Sequence, residues 1–166
     1  YALQTYALKR VAIVDFDVHH GNGTEHIVAG DQRIMMCSSF QHPFYPHSGS
    51  PVLASNILSV PIDAGATGEV FRNKVAHWFA ALTHFKPELI LLSAGFDAHA
   101  EDPMAHLRLT EDDYYWLSVE LKKVADTCCE GRIVSALEGG YDMSALGRSV
   151  VAHLKGLAYQ VAKPAL

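Results

Sequence analysis

Short apolar runs rich in Val, Ile and Leu alternate with amphipathic stretches along this chain, in the order strand, loop and helix. The apolar runs are continuous rather than alternating, which is typical of parallel strands that are covered on both faces. The pattern therefore predicts an α/β fold built on a mainly parallel sheet. The predicted strands span residues 11–15, 34–38, 89–93 and 133–137, with residues 57–60 as a weaker fifth.

Three stretches have apolar residues at helical spacing, and two of them begin with residues that favour a helix start. Thr110 is followed three residues later by Asp113, close to a capping box, and Ser144 precedes another apolar run. The first ten residues have the pattern of the end of an amphipathic helix. The predicted helices span residues 68–84, 110–128 and 144–159.

The size and composition of the chain indicate one globular domain. A chain of 166 residues buries roughly 70% of the surface that its unfolded form exposes. Hydrophobic residues make up 49% of the sequence, but no apolar run approaches the roughly 18 residues needed to cross a bilayer. No secretory signal is recognisable at the start. We therefore expect a single soluble domain over residues 1–166, without membrane contact, in an intracellular and cytoplasmic location, with the nucleus left open.

Charge and cysteine usage narrow the function classes. The formal net charge is −5, and no basic stripe could neutralise phosphates, which argues against direct nucleic-acid binding. Three cysteines, two of them adjacent, fit neither a disulfide framework nor a metal knuckle, so we expect reduced, mostly buried thiols. Acidic residues in the loops near the strand ends could attract a cationic substrate, although acidic loops are more often simply solvated. These residues are Asp97, Glu101, Asp102, Glu138 and Asp142.

Polar residues follow three of the four strong apolar runs. Because ligands bind beyond the carboxyl ends of the strands in an open parallel sheet, these positions are the first candidates for chemistry. Asp15, Asp17 and His19 alternate after the first run, so on an extended segment they point to one side. The three segments are Asp15-Phe16-Asp17-Val18-His19-His20-Gly21-Asn22-Gly23, Ser93-Ala94-Gly95-Phe96-Asp97-Ala98-His99 and Glu138-Gly139-Gly140-Tyr141-Asp142.

Asp17 and His19 offer one carboxylate and one imidazole together. A second carboxylate, from Asp97, would make three protein ligands and leave the fourth position of a tetrahedral zinc open, as in catalytic zinc sites. Such a metal polarises a carbonyl and lowers the pKa of a bound water. Tyr141 follows two glycines that permit a tight turn, and its hydroxyl could donate to a developing oxyanion. The structural alternative for the proposed ligands is that they are ordinary capping or loop residues after a strand. The structural alternative for Tyr141 is an ordinary half-buried loop tyrosine.

Four motifs together resemble those of the histone deacetylase family, in particular its class II-like and bacterial members, which include acetylpolyamine amidohydrolases. The motifs have the family's order and spacing, and the match extends from Val11 to about Leu157. The resemblance implies a three-layer α/β/α fold of the arginase/deacetylase type, of which this chain is the C-terminal part and incomplete on its N-terminal side. The motifs are residues 11–24, Pro43-Phe44-Tyr45-Pro46, residues 93–99 and residues 138–141.

The resemblance also implies an enzyme that hydrolyses an N-acetyl amide with the help of zinc. Its substrate would be acetyl-lysine in proteins such as histones, or an acetylated polyamine. By this resemblance Asp17, His19 and Asp97 bind zinc, and Tyr141 stabilises the tetrahedral intermediate.

Further residues receive roles from the same resemblance. Asp15 would orient one histidine of the family's catalytic pair, and Asn22 stands where some members have an aspartate beside the second. Tyr45, Gly139 and Gly140 would line the substrate channel, and His20 would support the metal site. A monovalent cation such as K⁺ would lie near Asp15, Asp17, His19 and Ser38.

One part of the family's machinery lies outside this sequence. An adjacent histidine pair, well upstream of the zinc motif, provides the general base and acid in the family, and only ten residues precede Val11 here. His19 and His20 cannot be that pair, because His19 is needed on the metal. We therefore expect either a fragment or truncated copy, or a protein whose missing half resides elsewhere. The chain by itself should have weak activity and an exposed sheet edge, which makes homo-oligomers plausible.

Two alternatives stay open. A non-catalytic remnant would bind zinc or a partner without turnover. A magnesium-dependent aspartyl phosphatase is suggested by an apolar strand that ends in Asp-x-Asp, where the first carboxylate would be the nucleophile. That class needs a later lysine and an acidic pair at strand ends, whereas the later strands here are followed by Gly-Phe-Asp-Ala-His and Glu-Gly-Gly-Tyr.

Overall fold

A computed structural model describes residues 1–160, which form a five-stranded sheet with helices on both faces. The strands are β1 (Val11–Asp15), β2 (Ile34–Gln41), β3 (Ile57–Ile62), β4 (Leu89–Ala94) and β5 (Ile133–Leu137). The helices are α1 (Ala2–Thr5), α2 (Asn22–Val28), α3 (Gly68–Val75), α4 (His77–Phe85), α5 (Glu111–Cys129) and α6 (Met143–Leu157).

All strand pairs of the sheet are parallel, in the order β3-β2-β1-β4-β5. The chain runs outward from β1 through β2 and β3, and then crosses to the other side to form β4 and β5. Loops therefore leave β1 and β4 in opposite directions, which opens a crevice beyond their carboxyl ends. Asp15 ends β1 at this point and pairs in register with Ser38 and with Ser93. The predicted parallel α/β fold is confirmed, including the weaker fifth strand.

The main core lies between one face of the sheet and helices α3 to α6. Alternate strand residues such as Val14 and Leu92 are almost fully buried there, together with Trp78 of α4 and Leu121 of α5. Full burial of one such side chain contributes about 1.5–3 kcal/mol. This core fixes β1 and β4 rigidly beneath the crevice.

The opposite face is covered less completely. Helix α2 packs over the β2 side, where Val28 contacts Met36 and Ile57. On the other side β5 is an edge strand, and its Val134 and Leu137 are 56% and 62% exposed. The predicted exposed edge is therefore present among the described residues.

The helices differ from the sequence prediction in several details. The predicted helix over residues 68–84 is divided at Ala76 into α3 and α4. At this junction His77 Nδ1 lies 2.9 Å from the Lys74 carbonyl oxygen, and such a local side-chain contact competes with the backbone hydrogen bonds of a helix. The N-terminal helix was predicted to occupy the first ten residues, but α1 spans only Ala2–Thr5 and buries no residue.

The helix starts were predicted with mixed success. The capping box of Thr110 and Asp113 at α5 is present. The prediction that Ser144 caps α6 was wrong, because the side chain of Asp142 accepts from the Ala145 N–H at 2.8 Å and the helix begins one residue earlier. Helix α2, directly after the His-His-Gly segment, was missed because two glycines flank Asn22 there.

Two compositional predictions can also be compared with the structure. Cys37 and Cys129 are buried, Cys128 is half-buried, and all three thiols are unpaired. Burial raises the pKa of the Cys37 thiol, so it remains protonated and inert. Over residues 1–160, no helix is both long and apolar enough to cross a membrane.

Candidate active site

Asp17, His19 and Asp97 meet in the crevice beyond β1 and β4. One ligand atom from each residue lies within 4.8 Å of the other two. His19 Nδ1 is 3.0 Å from Asp17 Oδ1 and 3.1 Å from Asp97 Oδ2. The structure thus brings together the three residues that the sequence predicted as metal ligands.

Backbone N–H groups hold both carboxylates in place. Asp97 is fully buried, and its Oδ1 accepts from the Val18 N–H at 2.9 Å. Asp17 Oδ2 accepts from the Gly139 N–H at 2.8 Å. Asp97 Oδ2 has no hydrogen-bond partner among the described residues, although it faces the His19 ring. Two carboxylate oxygens and one imidazole nitrogen around a common point are the donor set of a catalytic zinc site, so these residues fit that metal.

The electrostatics of the crevice agree with this interpretation. Burial raises the pKa of Asp97 to about 7, and the nearby charge of Asp17 acts in the same direction. Burial also raises the pKa of Asp15 well above its ordinary value, again with a contribution from Asp17. Three neighbouring carboxylates in a poorly solvated site repel one another, and a divalent cation would remove that repulsion.

Asp15 and Ser38 lie side by side behind the metal ligands. Asp15 is buried, and its Oδ1 accepts from the Asp17 N–H at 3.1 Å. The buried Ser38 Oγ has no hydrogen-bond partner in the described part of the chain. A buried hydroxyl without a partner beside a buried carboxylate fits the predicted monovalent-cation site, and its occupant stays a prediction.

A cleft of about 440 Å³ lies over this cluster and is lined by Asp17, His19, Gly139 and Tyr141, among others. The Tyr141 side chain is 51% exposed. Partial burial raises the pKa of its phenol, and the charges of Asp97 and Asp17 add to the effect. Tyr141 therefore remains protonated near neutral pH and is available as a hydrogen-bond donor in the cleft.

Two aromatic rings border His19, the histidine among the candidate metal ligands. Phe44 stacks on His19 with 5.5 Å between ring centroids, and Tyr45 lies edge-on to it at 6.2 Å. Tyr45 is 68% exposed, so it stands beside the cleft rather than in the core. The sequence predicted a channel role for Tyr45 only, whereas Phe44 makes the closer ring contact.

His20 and Asn22 are neighbours with different environments. His20 is buried, with Nδ1 2.8 Å from Ser48 Oγ and Nε2 in contact with the Glu25 carboxylate. This arrangement ties the loop after β2 to the segment that includes His19, and the supporting role of His20 at the metal site stays a prediction. Asn22 is exposed at the start of α2 and lines a neighbouring cavity, not the cleft over the metal ligands. Its predicted role beside a catalytic histidine stays a prediction.

Sequence reasoning gave no specific role to Asp102. Its Oδ2 accepts from the backbone N–H groups of Tyr141 at 2.7 Å and Asp142 at 3.2 Å. The sequence named Asp102 only as one of several acidic loop residues, because hydrogen bonds to a distant backbone leave no pattern in a sequence.

The comparison with known proteins decides the family. Residues 1–157 match the family model of the histone deacetylase domain. This chain belongs to the histone deacetylase family. It is 40% identical to type-2 histone deacetylase 2 of Dictyostelium discoideum. That match covers 95% of this chain and 10% of the Dictyostelium protein.

Solved structures of the histone deacetylase family confirm the fold. The chain resembles the HD domain of HDA15 with a TM-score of 0.84 and 30% identity, over 93% of this chain and 46% of that one. It also resembles an acetylpolyamine aminohydrolase from Burkholderia pseudomallei, with a TM-score of 0.79 and 25% identity. That match covers 91% of this chain and 45% of the aminohydrolase chain. The predicted arginase/deacetylase type of fold is therefore present, and this chain spans less than half the length of each of these relatives.

Proposed function

We propose that the protein containing this chain is a zinc-dependent deacetylase that hydrolyses an N-acetyl amide. The observation that supports this most is the convergence of Asp17, His19 and Asp97 at the base of a cleft that Tyr141 also lines. The family membership supports the same reaction class. Zinc held by these three residues would supply Lewis-acid polarisation of the acetyl carbonyl and of a water molecule.

The chain's own residues have distinct parts in this proposal. Asp17 and Asp97 are fixed by the Gly139 and Val18 N–H groups, so their remaining oxygens are preorganised before any ligand arrives. The protonated phenol of Tyr141 donates a hydrogen bond to the oxygen on which negative charge develops. Such a donor typically contributes 10²–10³ in rate, or about 3–4 kcal/mol.

Proton transfer needs a further group in this proposal. The two histidines that line the cleft are both engaged, His19 with the carboxylates and His20 with Ser48 and Glu25. We assign the base to the family's upstream histidine pair, which Asp15 would help to orient. Without it, a rate loss on the order of 10²–10⁴ is expected for the chain by itself.

The substrate in this proposal is a slim alkyl arm that ends in a neutral acetamide. Acetyl-lysine in a protein and an acetylated polyamine share this group, and the similar proteins include one named a histone deacetylase and one named an acetylpolyamine aminohydrolase. Phe44 and Tyr45 offer an aromatic border beside His19, against which the methylene groups of such an arm would pack.

Metal content is the first test of the proposal. The purified chain is equilibrated with zinc and magnesium together, and bound metal is then measured by mass spectrometry. We expect about one zinc per chain, with zinc lost in Asp97→Asn because one of three ligands becomes a neutral amide. Asp112→Asn, the same chemical change at an exposed position of α5, is the matched control and should retain the metal.

Turnover is tested separately, on the chain in its natural polypeptide, with an acetyl-lysine peptide and an N-acetylated diamine. Zinc-dependent release of acetate supports the proposal. Zinc binding without turnover on either substrate would instead favour a non-catalytic zinc-binding role. A folded chain that binds no zinc, or magnesium alone, would refute the assignment of the site.

A further inference from the structure

The loop that follows β5 is attached to the loop that follows β4 at two places. Gly139 is the first, because its carbonyl accepts from the Phe96 N–H at 2.7 Å. Asp102 provides the second, through its hydrogen bonds to the Tyr141 and Asp142 N–H groups. The two attachments lie on either side of Gly140, which has a φ of +143° that favours glycine.

Asp102 is itself held rigidly. Its side chain is buried, with 6% of the residue exposed, and its second oxygen accepts from the Met104 N–H at 2.9 Å. All three donors are backbone groups, and hydrogen bonds to a carboxylate are stronger than those between neutral groups. The carboxylate therefore connects the Asp97 loop to the peptide unit that precedes Tyr141.

We infer that Asp102 is a positioning residue that fixes the Tyr141 backbone and thereby directs the phenol into the cleft; this inference rests on the proposed deacetylase function. Tyr141 follows two glycines, and its side chain is half exposed, so contacts of the ring alone do not hold it. Asp102 supplies the missing constraint through the backbone. Asp142 shares the same carboxylate and caps α6, so the start of that helix is fixed with the tyrosine.

Steady-state kinetics of the natural polypeptide on an acetyl-lysine peptide test this inference. We expect Asp102→Asn to lower kcat about tenfold or more. Asparagine has only one carbonyl oxygen, which cannot accept both from the Met104 N–H and from the Tyr141 and Asp142 N–H groups. KM and zinc stoichiometry should change less than about twofold, since Asp102 is neither one of the three clustered ligands nor a residue that lines the cleft. Amide hydrogen exchange at Tyr141 should become faster, which reports the lost backbone hydrogen bond independently of activity.

A double-mutant cycle separates positioning from a general structural role. In a Tyr141→Phe background, Asp102→Asn should have little further effect on kcat, because the hydroxyl that it positions is already absent. Independent, multiplicative losses of kcat would overturn the inference, as would an unchanged kcat in the single variant. Asp112→Asn serves as the control for removal of one acidic charge.

Asp102→Glu covers the case in which Asp102→Asn fails to fold. It retains the charge and displaces the oxygens by one methylene group, so the same selective loss of kcat is expected. Wild-type kcat in Asp102→Glu despite faster exchange at Tyr141 would overturn the inference. Absence of zinc-dependent turnover in the wild-type protein would overturn the proposed function and this inference together, whereas an active wild type without the coupling overturns only the inference.

Discussion

Replacing Gly139 with alanine should weaken zinc binding about 100-fold or more through a single methyl group. A Cβ at this position would lie 2.0 Å from Asp97 Oδ2 and 2.7 Å from Asp17 Oδ2, whereas real contacts of this kind essentially never fall below 3.0 Å. The Asp97 oxygen would therefore have to move by about 1 Å, against a tolerance of about 0.2 Å in zinc–ligand distances. Both carboxylates of the predicted site are affected at once.

The expected magnitude follows from this displacement. Changes that disturb only the surroundings of metal ligands cost about 10–100-fold in affinity, so displacing two ligands should cost about 100-fold or more. The assay is a zinc competition titration against a chelator, with circular dichroism to confirm folding. Gly147→Ala is the matched control, because nothing lies within 4 Å of a Cβ at that position of α6. Wild-type zinc affinity in a folded Gly139→Ala variant would refute the geometry of the site.

Three further predictions concern Tyr141, His153 and Asn56. Tyr141→Phe should lower kcat of the natural polypeptide about 10²–10³-fold while zinc stoichiometry is retained, as measured by acetate release. Burial lowers the pKa of His153 to about 4, so its contribution to the free energy of unfolding should fall as pH falls from about 6.5 to about 4, by about 3 kcal/mol in total. Urea unfolding at pH 7 and pH 5 should show about 2 kcal/mol of this loss in the wild type and not in His153→Gln, and equal pH dependence would contradict it. Asn56→Ala should destabilise the chain by about 2–4 kcal/mol in the same assay, because the Asn56 side chain donates to the Val28 and Ile34 carbonyls and accepts from the Gly30 N–H.

The sequence was sufficient to predict the sheet and the clustering of the candidate metal ligands, because both follow from local patterns. Continuous apolar runs identify buried parallel strands, and residues directly after such runs must lie at the carboxyl edge of the sheet. Asp17, His19 and Asp97 were found in this way and lie together in the structure. These three residues lie close together because they follow the carboxyl ends of two neighbouring parallel strands.

Features that depend on contacts between distant segments could not be predicted. The Asp102 carboxylate that accepts from the Tyr141 backbone is one example, because its geometry is not specified by residue type. The same holds for Gly139, which sequence reasoning placed in the channel and which lies against the Asp17 carboxylate. The missed helix α2 has only seven residues, too few to show a clear apolar period.

The position of β5 links the solubility of the protein to the shape of its cleft. Only β4 pairs with this strand among the described residues, so one row of its backbone donors and acceptors is free to template another strand. Leu137 at the end of β5 also lines the cleft, next to Tyr141. A segment that covers this edge would therefore suppress aggregation and also narrow the entrance to the site. A change in the covering of β5 should alter both the tendency to aggregate and the ligand selectivity.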